Sequence, residues 1–190
     1  VAALPARFAN PDLRTQVVIR GADSGPCPVR AFAGYREGRA TIGINLDLGW
    51  SVGTLRRIVA PEVGHVYHFA ARGAVEGLSS DGILNEGLAT WLSAPFWLAD
   101  LGAESFESLI RSNMERGVYF GLVEDYEVDL SARAASGREC VELRDALYTQ
   151  WAGFVGFLID KYGVEAVLSA TRLPAELVEV GRGEWRRGSQ

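Results

Sequence analysis

Residues 15–46 carry the hydrophobic pattern of strands, a short β-rich run and then a stretch in which apolar positions alternate with polar ones. TQVVIRG, from Thr15, reads as one short strand. PVRAFAGYREGRATIGINLDLG, from Pro28, reads as a hairpin turning at Arg36, Glu37 and Gly38. After Trp50 the apolar spacing lengthens to three or four residues. SVGTLRRIVAPEVGHVYHFAARG reads as a helix capped by Ser51 and ended by Gly73, followed by a loop, GAVEGLSSDG. NEGLATWLSAPFWLADLG predicts a second helix interrupted near Pro95, and ESFESLIRSNMERG a third. The acidic stretch from Glu124 to Asp129 reads as a solvated loop. VELRDALYTQWAGFVGFLIDKYG carries the strongest helical period, with Leu147, Trp151, Phe154, Leu158 and Tyr162 on its apolar side and Gly163 closing it. A shorter helix, VEAVLSAT, follows, and the tail 181–190 is expected to fray. Strands first and helices after them predict an α+β class. The expected organisation is one domain, 1–190, with a strand-rich part over about 1–50 and a helical part over about 51–180.

Composition narrows the setting. The chain has 190 residues, a formal charge of −5 and 48% hydrophobic residues, enough for a buried core. The acidic balance argues against a nucleic-acid partner. The longest apolar run, Trp151 to Ile159, is too short for a membrane span, which needs about 20 residues. Cys27 and Cys140 lack the spacing of a zinc ribbon and either form one disulfide or stay as buried thiols. The opening VAALPARF has no Met and no signal-like segment, which reads as a trimmed or mature chain. Only two histidines are present, His65 and His68. A three-histidine metal site is excluded, while two histidines and a carboxylate remain open.

LRRIVAPEVGHVYHFA and the later LNEGLATWLS concentrate the chemistry. Residues three apart share a helix face, so Glu62, His65 and His68 fall on one stripe. Glu86 follows near the start of the next helix, and a helical hairpin would return it to His65. The bland alternatives are a surface pair for Glu62 and His65, and for Glu86 a first-turn carboxylate that complements the helix dipole. Trp91, Phe96 and Trp97 read as core residues or, alternatively, as the lining of a peptide cleft, and Tyr148 taken alone reads as a core tyrosine with a satisfied hydroxyl.

These phrases resemble the gluzincin metallopeptidases, the peptidase-MA-like group. Members carry HExxH on a helix and a downstream glutamate in a phrase such as NEGLA. The resemblance implies Glu62 as general base, with His65 and Glu86 as zinc ligands. ALYTQWAGFVGFLIDKYG resembles the group's final helix, which implies Tyr148 as a donor to the oxyanion of a tetrahedral intermediate. It also implies a zincin-like fold: a small antiparallel sheet whose edge strand, residues 40–46, lies over an active-site helix and lines the cleft. Its substrates are peptides or proteins, and an extracytoplasmic or secreted bacterial location accords with a family often found outside the cytoplasm.

The first histidine of the motif is Pro61 here. Proline supplies no ligand atom, removes a backbone donor in mid-helix and predicts a kink or break just before Glu62. Zinc is therefore expected to bind weakly or not at all. Without it, His65 is expected to pair with Glu86. Three functional readings follow. One is a catalytically impaired metallopeptidase-like domain. The second is an active zinc peptidase with a displaced site on His65, His68 and Glu86. The third is a peptide-binding module without catalysis, holding its ligand along strand 40–46.

Overall fold

The apolar alternation at Ala40, Ile42 and Ile44 puts three buried side chains on one face of a strand, and the fold is organised around it. The computed structural model describes residues 14–21, 27–36, 39–46, 49–72, 82–121, 130, 132–171, 177–179 and 185–187. Three strands, β1 (Arg14–Gly21), β2 (Ala31–Arg36) and β3 (Arg39–Leu46), form a sheet in the order β1-β3-β2. The hairpin is present, with β2 antiparallel to β3 in the register Arg36↔Arg39 to Ala31↔Ile44. Its turn residues Glu37 and Gly38 lie outside the described residues.

Two expectations about the sheet are corrected. It is mixed rather than antiparallel, because β1 runs parallel to β3, Arg14↔Arg39 to Gly21↔Leu46. Residues 40–46 are the middle strand and not the edge. Both flanks of β3 are paired, so no peptide can add a strand there. The physical reason is burial: β3 has the most apolar inner face of the three, and the central place buries it deepest. On the other face Gly43 lies under the Phe32 ring, where any Cβ would collide with it.

Six helices follow among the described residues: α1 (Val52–Arg72), α2 (Gly82–Leu92), α3 (Ala94–Asp100), α4 (Phe106–Glu115), α5 (Gly137–Tyr162) and α6 (Val164–Ala170). Ser51 caps α1 as expected, its Oγ accepting from the Thr54 amide at 3.0 Å. The break expected at Pro61 is absent, and α1 runs through it. Ile58 before the proline and Val66 after it are both buried, so tertiary packing holds the two halves in one helix against the local cost. The interruption near Pro95 does occur. Ser93 ends α2, and Pro95 sits in the first turn of α3, where its missing amide is not needed. α4 opens on a capping box between Ser105 and Ser108. α5 starts before the apolar period does, because Ser136 accepts from the Glu139 amide at 3.2 Å. Gly163 closes it at φ 83°, a conformation that suits glycine.

Leu147 and Trp151 are buried as expected, while Phe154 and Tyr162 are exposed on the outer side of α5. Two short strands, β4 (Leu177–Glu179) and β5 (Trp185–Arg187), pair antiparallel, so residues 185–187 of the tail are strand rather than frayed chain. The acidic stretch 124–129 lies outside the described residues. No described helix is long and apolar enough to cross a membrane.

The core has three parts. β3 packs with Val66, Leu55 and Val59 of α1. Leu88 of α2, Val155 of α5 and Val167 and Leu168 of α6 form the second. The third gathers Phe120, Leu130, Leu143, Leu147 and Trp151 around Cys140, which is disulfide-bonded to Cys27.

An ion network ties these layers together. Arg57 of α1 donates to Asp100 of α3 and Asp145 of α5, both at 2.6 Å, and Arg30 beside β2 pairs with the same Asp145. All of these groups are largely buried. Asp145→Ala would leave two guanidiniums without their shared carboxylate, and is expected to cost about 3 kcal/mol of stability. Urea unfolding measures it, and a loss below about 1 kcal/mol would show that Asp100 and solvent compensate.

Candidate functional site

Helix contact distance is set here by glycine. A Cβ on Gly64 of α1 would lie 3.1 Å from the Ala89 backbone of α2, and one on Gly87 would lie 2.7 Å from the Trp151 carbonyl of α5. These close approaches seat α2 between α1 and α5. They also explain the glycine of the NEGLA phrase as a packing residue. The crossing brings His65 Nε2 to 3.2 Å from Glu86 Oε2, the pairing expected for these groups without metal. Glu86 lies beyond the first turn of α2, which begins at Gly82, so the dipole reading of its position is corrected.

His65 is buried and Glu86 about one-quarter exposed. Glu62 lies one turn before His65 and is partly buried. Loss of solvent is the main reason its carboxyl is pushed up to about 7; His65 and Arg30 oppose the rise and Glu86 adds to it. Burial disfavours the imidazolium of His65, but Glu86 and then Glu62 more than offset that, and its pKa is raised. Glu62 and His65 thus hold protons around neutral pH, a property suited to general acid–base work or to binding peptide groups.

Both shifts have the same consequence for stability. Between pH 4.5 and about 7 the folded Glu62 keeps a proton that the unfolded chain has released, so stability falls as pH rises through that window. The contribution of His65 is complete below 6.5 and is lost as pH passes its raised folded value. Urea midpoints taken from pH 4.5 to 8 are expected to decline, and Glu62→Gln to flatten the lower part of the decline. A midpoint that rises over this range would contradict the assignment.

His68 faces another environment. Its Nε2 is 2.8 Å from Thr171 Oγ1, whose single hydroxyl proton is donated to the Leu168 carbonyl. Thr171 must therefore accept, and His68 Nε2 carries the proton, so that nitrogen is no metal ligand in this arrangement. Tyr148 lies between Trp97 and Trp151, with ring centroids 6.5 and 5.5 Å away. Trp97 is core, donating to Thr149 Oγ1 at 3.0 Å, and Trp91 packs beside Gly156 of α5, while Phe96 is about half exposed.

Catalytic zinc is held by three protein ligands. His65 and Glu86 are two, Pro61 is buried and offers none, and His68 Nε2 is committed to Thr171. Among the described residues no three His, Cys, Asp or Glu side chains converge as metal holders. The described residues by themselves do not make up a three-ligand zinc centre.

Sequence reasoning missed the charges beside this cluster. Arg57, Pro61 and His65 are spaced four apart and share the inner face of α1. An arginine on a face that also buries proline and histidine needs carboxylate partners, and that was the available signal. Arg30 carried none, because its reach to Asp145 and its influence on Glu62 depend on where β2 begins. Compared with family models, curated proteins and solved structures, the chain finds no match.

Proposed function

We propose that this chain is a gluzincin-type metallopeptidase-like domain, catalytically impaired because Pro61 occupies the first ligand position of its HExxH-like motif. The observation that carries this reading is the 3.2 Å contact between His65 and Glu86, made across two helices, with Glu62 one turn away on α1. Those are the base, second-histidine and downstream-glutamate positions of the motif, and helix packing brings Glu86 back to the α1 pair across 21 positions of sequence. Tyr148 belongs to the same reading as the oxyanion donor of the ancestral site. The natural ligand is an extended peptide or protein segment. The disulfide suits an oxidising, extracytoplasmic setting.

Metal content and hydrolysis of denatured casein by the purified chain test the proposal. Well under one zinc per chain and no cleavage are expected. One tightly held zinc with cleavage would overturn the impairment and restore the active-peptidase reading.

A further inference from the structure

We infer that the outer edge of β1 is a docking strand for an extended acidic segment of a partner protein. β1 ends the sheet, and among the described residues nothing pairs with its free edge. Seven of its eight residues are exposed, Val18 alone being half-buried. An open strand of this length without proline or an inward charge offers its amides and carbonyls to another chain.

Its two faces state what that chain must look like. Val17 and Ile19 are in register with Ile42 and Ile44, so they lie on the core side of the sheet. α1 packs over β2 and β3, and Val17 and Ile19 remain 57% and 65% exposed. The opposite face carries Arg14 and Arg20, both exposed, and Arg20 lies 5.3 Å from the Phe32 ring. Arg14 is directly opposite exposed Arg39. Like charges in direct cross-strand register oppose folding, and an anionic partner relieves them. They stand out in a chain whose net charge is −5.

A strand added beside β1 therefore meets Arg20 and Arg14 six residues apart on one face, and Ile19 and Val17 on the other. Its complement has two carboxylates six residues apart with apolar residues at the alternate positions between them. A second copy fits worse, because antiparallel pairing of β1 with itself brings arginines toward arginines.

The probe is a labelled peptide, Ser-Glu-Val-Thr-Val-Thr-Val-Glu-Ser, titrated with the full chain by fluorescence polarisation. A control carries lysine in place of both glutamates. Saturable binding that weakens with salt is expected, with the control about tenfold weaker. The double variant R14E/R20E, with an unchanged circular dichroism spectrum, is expected to reverse the preference. N-methylation of either the valines or the threonines should abolish binding while the other set is tolerated, since only one set faces β1. Equal affinity for the two peptides, no binding at millimolar concentration, or no effect of the double variant would overturn the inference. So would a dimer in sedimentation whose β1 amides are protected from exchange.

Discussion

Pro61→His is expected, on the metallopeptidase-like reading proposed above, to give one zinc per molecule and a gain in zinc affinity on the order of 100-fold or more. The substitution completes two histidines four apart on α1, with Glu62 between them and Glu86 already 3.2 Å from His65. The scaffold is in place, because α1 runs unbroken through residue 61 and the α1–α2 distance is fixed by Gly64 against Ala89. Restoring the amide at 61 also returns a donor to the Arg57 carbonyl, a change of about 3 kcal/mol in a free helix. The buried site must accept a larger side chain, which takes back part of that gain. Thermal melts with and without a chelator separate the two effects, and metal analysis counts the zinc. A folded P61H variant without zinc would show that the motif is misaligned. Zinc without casein cleavage would mean, on the proposed reading, that Pro61 is not the sole impairment.

The Cys27–Cys140 disulfide carries the other large effect. It joins residues 113 apart in sequence, and the chain-entropy relation gives about 5 kcal/mol for closing so long a loop. That approaches the whole stability of many domains. The bridge fastens the segment before β2 to the first half of α5, where Cys140 is fully buried beside Leu143 and Leu147. Arg144 reinforces the joint by donating to the Pro28 carbonyl at 2.9 Å. Reduction, or Cys27→Ser, is expected to shift the urea midpoint strongly downward. A loss below about 1 kcal/mol would mean that Arg144 and the Arg30–Asp145 pair hold the segment unaided.

The opposite fates of two proline expectations show how far local reasoning reaches. At Pro95 the missing amide falls where a helix starts, and the interruption forms. At Pro61 the same chemistry predicts a break, yet α1 continues, since both sides of the proline are anchored in the core. The α5 stripe divides in the same way. Leu147 and Trp151 meet α2 and the disulfide cluster, whereas Phe154 and Tyr162 lie past the width of that contact and face outward. The candidate site was legible through Glu62, His65 and Glu86, whose spacing survives any change of packing. His68 was ambiguous because its stripe position is shared with His65, and only the arrival of Thr171 from beyond α6 decides which neighbour it serves.

By itself the sequence determined the α+β order, the hairpin, the helix caps at Ser51 and Gly163 and the stripe bearing Glu62 and His65. Each depends on residues within a few turns or strand steps of one another. The tertiary structure alone decided that β3 is central, that β1 runs parallel beside it, that Cys27 meets Cys140 and that Arg57 is neutralised by Asp100 and Asp145. These depend on which buried faces meet, and hydrophobic period specifies a face without naming its partner.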